Sequence, residues 1–171
     1  MPVSLHSVSA PIFVQILTGL SDVLGKAQAQ AEAKKLDTGF LLSDRLYPDM
    51  FSLTRQVRQA TNHAVNAVGQ CAGVAPPKFA DDETTIPQLR ERIAKSIEFV
   101  KSIKASQVDG QENKDITMTF PSGERKFKGQ GFVLNFCMPN FYFHCTTAYD
   151  ILRKNGIELG KRDFMSMPVQ M

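Results

Sequence analysis

The chain contains 171 residues, of which 43% are hydrophobic and 22% are charged, and its net charge is +3. This composition is typical of a globular protein with one core, so residues 1–171 are expected to form a single domain. Basic residues are mixed with acidic ones and form no stripe, which argues against a nucleic-acid-binding protein. The apolar run 10–17 lacks a basic leader and is soon interrupted by Gly19 and Asp22, so we expect neither a signal peptide nor a membrane span.

Three cysteines, Cys71, Cys137 and Cys145, are widely spaced within apolar patterns, and no Cys-x-x-Cys pair occurs. We expect buried, reduced thiols and therefore a cytoplasmic protein.

The first predicted helix covers residues 4–35. Its apolar seam has spacings of four and three residues at His6, Ala10, Phe13, Leu17, Leu20 and Leu24. Pro11 predicts either a helix start at a Ser9 cap or a kink at that point.

Asp49 is the predicted cap of the second helix, whose seam runs from Leu53 to Cys71 and ends before Gly73. Residues 37–48 are predicted to be a loop. Thr85 and Gln88 have the spacing of a capping box, which predicts a third helix that ends near residue 104.

From residue 115 the apolar period changes to two, and a turn at residues 121–123 precedes a second such stretch to residue 128, which predicts a β-hairpin. A fourth helix follows over residues 130–154. The predicted fold is therefore an all-α, antiparallel four-helix bundle with a small β-hairpin between helices three and four. We assign residues 4–156 to the bundle and 157–171 to a C-terminal tail.

Pro139 predicts a kink or a local break of the fourth helix over residues 135–139. Aromatic residues leave this helix apolar on nearly every side: Phe132, Phe136, Phe141, Tyr142 and Phe143. An all-round apolar helix predicts a homodimer contact.

Two polar residues of the fourth helix, Asn140 and His144, share a face with Cys137, Ala148 and Ile151. A buried histidine there either satisfies a freed backbone carbonyl or acts as a base or ligand in a pocket between helices. Asn140 suits hydrogen bonding better than metal binding.

The other histidines are weaker candidates. His6 shares the seam of the first helix but lies near the chain end, whereas His63 lies beside the seam of the second helix with Gln56 on the same flank. Both His63 and Gln56 are expected at a solvated edge. Cys145 adjoins His144 in sequence, but a helix turns it about 100° away, which excludes a Cys-His dyad.

Three segments carry a resemblance to a known family: residues 48–57 (PDMFSLTRQV), 139–153 (PNFYFHCTTAYDILR) and 160–164 (GKRDF). Together with the order of elements, they make the chain resemble a domain-of-unknown-function family of the DinB-like superfamily of four-helix-bundle metalloenzymes. The resemblance spans nearly the whole chain and implies the fold rather than an activity.

The superfamily resemblance also implies a metal site of three histidines, one from the second helix and two from a His-x-x-x-His pair in the fourth. In this sequence the pair falls on Asn140 and His144, and the remaining ligand falls near Gln56 or Thr61, with no clean match to His63. One imidazole with neutral amides binds such metals poorly, so we expect little or no bound metal.

Three functional hypotheses follow. In the first, a pocket around His144 binds or acts on a small apolar or aromatic molecule, with His144 as the catalytic base or hydrogen-bonding group and Asn140 and Gln56 as ligand-orienting residues. In the second, the protein is a metal-dependent transferase or isomerase whose degenerate site joins His144 to His63 or His6 around zinc, nickel or iron. In the third, it is a noncatalytic dimeric bundle.

Overall fold

A computed structural model describes residues 3–166, and these are mostly helical with one small antiparallel sheet. Four helices are long: α1 (Ala10–Ala33), α3 (Leu53–Ala72), α4 (Ile86–Ser102) and α7 (Met138–Lys154). The short elements are α2 (Gly39–Ser43), α5 (Ala105–Val108), β1 (Asp115–Phe120), β2 (Gly123–Lys128), α6 (Gly129–Gly131) and α8 (Lys161–Met165). The end of the predicted tail, residues 167–171, lies outside the described part.

Helix α1 begins at Ala10, six residues later than predicted, with Ser9 in the cap position and Pro11 in the first turn. The Ser9 hydroxyl donates to the Leu5 carbonyl at 2.6 Å, which holds the preceding residues in turns. Of the two alternatives raised by Pro11, the helix start is therefore confirmed. A proline is tolerated there because a first-turn N–H has no partner within the helix.

Helix α3 starts at Leu53 with Ser52 as its cap, so the prediction of an Asp49 cap was wrong. The Leu53 N–H donates instead to the carbonyl of Asp44 at 2.9 Å, which ties the start of α3 to the end of α2. Helix α2 itself lies within the segment predicted to be a loop. At its other end α3 stops at Gly73, whose φ of 71° is a conformation that glycine adopts readily.

The capping box of α4 is confirmed: the Gln88 N–H donates to the Thr85 hydroxyl at 3.3 Å, and the Gln88 side chain accepts from the Thr85 N–H at 3.0 Å. One turn further, the guanidinium of Arg92 is buried between α3 and α4. It donates to Thr61 and to Glu83, both at 2.8 Å, and thereby fixes the loop before α4. Buried charges need such partners.

The predicted hairpin is also confirmed. Strands β1 and β2 pair antiparallel with Ile116 opposite Phe127. Ile116 is buried, and Met118 and Phe127 pack against the core, whereas the alternate residues of the strands face solvent. The period-two pattern therefore reflects one covered face.

Between α6 and α7 the chain forms a π-helical segment over Phe132–Cys137. The predicted irregularity before Pro139 is thus confirmed, and it extends further upstream than the sequence indicates. Pro139 has no N–H to give to the preceding turn, which accounts for a departure from the α-helical bonding pattern here.

One cluster of buried apolar side chains joins all four long helices. Helix α3 packs against α7 and α4, and α1 packs against α4, α7 and α8. The predicted tail is part of this packing up to residue 166, because Ile157 and Leu159 are buried and α8 lies on α1. Over residues 3–166, no helix combines the length and the apolar character needed to cross a membrane.

Candidate functional site

His144 of α7 is 7% exposed and points at α3. Its Nδ1 lies 2.6 Å from Oε1 of Gln56, a residue of α3 that is 1% exposed. The Gln56 Nε2 donates in turn to the backbone carbonyl of Phe51 at 3.2 Å. A chain of two hydrogen bonds therefore connects α7, α3 and the segment before α3.

These bonds define the tautomer of His144. Because the Gln56 Nε2 donates to a carbonyl, its Oε1 faces the imidazole and can only accept. Nδ1 of His144 then carries the proton, and Nε2 keeps its lone pair. A fixed ring with an available lone pair can serve as a hydrogen-bond acceptor or a general base.

Four rings form an aromatic row across this face: Phe51, His144, His63 and Phe136. The Phe51 and His144 rings are nearly parallel with centroids 6.2 Å apart, and the His144 and His63 rings are nearly parallel at 5.6 Å. Phe136, from the π-helical segment, meets His63 edge-on at 5.6 Å. The row thus places two imidazoles side by side between two phenylalanines.

Helix geometry explains how α3 supplies two members of the site. Gln56 and His63 are seven residues apart, which is close to two full turns, so both face α7. The expectation that both lie at a solvated edge was wrong for Gln56, which is buried, while His63 is half-buried. The seven-residue spacing in the sequence indicates that Gln56 and His63 share a flank of α3. It does not indicate which helix covers that flank. No sequence pattern identified Phe51 or Phe136 as residues of the site.

Burial lowers the pKa of both histidines to about 4, and for His63 the nearby His144 adds a second, smaller effect in the same direction. Both rings are therefore neutral at pH 7. Nε2 of His144 has no hydrogen-bond partner among residues 3–166, yet every fully buried side-chain nitrogen or oxygen in that range has one. Nε2 therefore lies within reach of solvent.

The remaining candidate residues lie elsewhere. The Asn140 side chain donates to the carbonyl of Phe136 at 2.8 Å, so it joins α7 to the π-helical segment before it. The Thr61 hydroxyl accepts a hydrogen bond from Arg92, on the side of α3 that faces α4. His6 borders a different cleft with Val100 and neighbouring residues.

The donor set does not fit the three-histidine metal site implied by the superfamily. Within residues 3–166 no group of three His, Cys, Asp or Glu side chains is placed to hold a metal ion. His63 and His144 supply two imidazoles, and Oε1 of Gln56 is already engaged. Burial raises the pKa of the Cys145 thiol far above its usual range, so this neighbour is not a thiolate ligand.

Five cavities of the described part of the chain are lined by residues other than those of the aromatic row. None of these five cavities surrounds His144, where a pocket was predicted. Phe143, whose ring meets that of His144 edge-on at 5.4 Å, is 55% exposed.

The helical fold, the hairpin before the last long helix and the imidazoles between α3 and α7 define a DinB-like protein. A crystal structure described as a DinB family member protein from Shewanella denitrificans is similar to this chain, with a TM-score of 0.86 and 36% sequence identity. The match covers 98% of this chain and 95% of that one. Residues 5–165 match the model of the Domain of unknown function DUF1993, and the chain belongs to that family. The resemblance inferred from the sequence is thereby confirmed. No curated protein matches the chain.

Proposed function

We propose that this DinB-like protein binds a small aromatic molecule at the aromatic row, through a hydrogen bond to Nε2 of His144. The observation that carries the proposal is the 2.6 Å contact between His144 Nδ1 and Gln56 Oε1, because it fixes the ring and leaves one acceptor. The family is established, and the ligand site goes beyond it.

The surroundings of Nε2 favour a neutral ligand that has a donor group. Both imidazoles are uncharged at pH 7 and flanked by phenyl rings, so an apolar ring gains contact area while its hydroxyl or amide satisfies the acceptor. Gln56 orients the imidazole in this proposal, and Asn140 acts indirectly by holding the helix next to Phe136. His144 is also the residue we assign as base if the ligand is converted.

Phenol and anisole test this site, because both are aromatic but only phenol donates a hydrogen bond. We expect phenol to move the ¹⁵N resonance of His144 Nε2 and to raise the melting temperature, with anisole weaker in both. His144→Phe keeps a ring but removes the acceptor, so it should abolish the preference for phenol. His6→Phe is the matched control and should retain it. Equal responses to both ligands, or to phenol in both variants, would refute the proposal.

The metal-dependent transferase or isomerase remains the rival function. We propose that the chain holds no tightly bound zinc, nickel or iron, because two imidazoles are fewer donors than such sites use. After incubation with zinc or nickel and exhaustive dialysis, metal analysis should give much less than one ion per chain. One retained ion per chain, lost in both His63→Ala and His144→Ala, would favour the rival.

We also propose a homodimer that forms through the exposed aromatic side of α7. Tyr142 is 37% exposed and Phe143 is 55% exposed, and the Phe143 ring meets that of His144. Isologous dimers commonly cover such patches.

We further propose that the long helices form an antiparallel four-helix bundle. We also propose that the protein is cytoplasmic, because its three described cysteines are free thiols.

A further inference from the structure

A second cleft, away from the aromatic row, lies where the start of α1 meets the end of α4 and α5. Its volume is about 440 Å³, which is within the range of small-molecule sites. Six apolar residues form its walls: Ala10, Pro11, Val14, Val100, Ile103 and Ala105. The walls are therefore made of aliphatic groups rather than of aromatic or polar ones.

The remaining lining residues are all basic types: His6, Lys101 and Lys104. Both lysines are exposed, and neither joins an ion pair within residues 3–166. Among residues 3–166, no acidic side chain lines the cleft. Asp109, which is nearby, accepts the backbone N–H of His6 at 2.9 Å and is not among the lining residues.

We propose that this cleft binds a medium-chain aliphatic carboxylate. The alkyl chain would lie against the aliphatic walls, where removal of apolar surface from water favours binding. The carboxylate would face the ammonium groups of Lys101 and Lys104, with His6 as a further donor. The combination of aliphatic walls with the basic residues His6, Lys101 and Lys104 selects an amphiphilic anion over a neutral alcohol.

Decanoate and decanol are suitable probes, since they share an alkyl chain and differ in charge. By titration calorimetry, decanoate should bind the full-length protein and decanol should bind at least about tenfold more weakly. The double variant Lys101→Gln/Lys104→Gln should weaken decanoate binding by about tenfold or more. The double variant Lys126→Gln/Lys128→Gln removes the same charge from the hairpin and should leave the affinity unchanged.

Two further variants locate the binding site. Ala105 is exposed at the cleft, so Ala105→Trp obstructs it without disturbing the core and should abolish decanoate binding. His144→Phe alters the aromatic row and should have no effect. Absent decanoate binding, equal affinity for decanol, or undiminished binding in Ala105→Trp or in the Lys101/Lys104 variant would overturn the proposal. Loss of binding in His144→Phe would assign it to the aromatic row instead.

Discussion

Gln56 holds the imidazole of His144 and the carbonyl of Phe51 at the same time, and it is almost completely buried. Gln56→Leu keeps the volume approximately but leaves both of these groups without their partner. Because unpaired buried polar groups are costly, we expect the free energy of unfolding to fall by about 1 to 3 kcal/mol, measured by urea denaturation.

Asn140→Ala is the comparison variant, since it also removes one side-chain hydrogen bond but at a half-buried position where alanine favours the helix. Its cost should be below about 1 kcal/mol. A Gln56→Leu protein as stable as the wild type would show that the bond to His144 contributes nothing to the fold.

The lowered pKa values of His63 and His144 predict how the free energy of unfolding depends on pH. Both have a folded-state pKa of about 4, below the ordinary value of 6.5, so the unfolded chain binds more protons between these values. Their contribution to stability is therefore fully present above pH 6.5 and is lost as the pH falls towards 4. The slope is at most about 1.4 kcal/mol per pH unit for each histidine.

Urea denaturation across this pH range, with His63→Phe beside the wild type, checks the effect. The variant keeps an aromatic ring at this position but removes one titrating group, so its stability should fall less steeply with acid. Identical slopes for the two proteins would contradict the assignment of the acid sensitivity to this pair.

The contact between α1 and α8 depends on a glycine. A Cβ at Gly19 would lie 2.2 Å from the carbonyl oxygen of Phe164, too close for any side chain. Gly19→Ala should therefore push α8 away from α1, at a cost of about 1 to 3 kcal/mol. Hydrogen exchange should show reduced protection of residues 161–165.

Gly131 provides the matched control, because its helical position has open space where the Cβ would be. Gly131→Ala should be neutral or stabilising by up to about 1 kcal/mol, since alanine loses less conformational entropy in a helix. If both alanine variants leave α8 equally protected, close packing at Gly19 is not what requires glycine.

Local signals predicted the elements unequally well. The capping box at Thr85 and the hairpin from residue 115 act over a few residues, so the sequence alone indicated both. The start of α3 depends on a bond from Leu53 to Asp44, and α8 depends on a surface supplied by α1. Neither partner is adjacent in sequence, so the cap was misplaced and the packed segment was taken for tail.

The proposed homodimer should be dissociated by a single substitution on α7. Phe143 is the most exposed aromatic residue of α7, so Phe143→Glu would place a charge in the proposed interface. Sedimentation at micromolar concentration should show a wild-type dimer and a monomeric variant.

Tyr47→Glu adds the same charge at another exposed aromatic residue, 66% exposed and outside α7, and should leave the dimer intact. A monomeric wild type, or dissociation by both substitutions, would contradict an interface on α7.

Periodicity, capping residues and motifs along the chain were enough to predict the helical class, the hairpin, the burial of His144 and the membership of a DinB-like family. The composition of the candidate site, in contrast, depends on how the helices pack. Gln56 and His144 are 88 residues apart, and their contact exists because α3 and α7 pack together. The same packing brings His63 beside His144, whereas Asn140 bonds to the π-helical segment just before α7. Which side chains converge is set by the rotation of each helix about its axis in the packed core, and a pattern read along one helix contains no information on its neighbour.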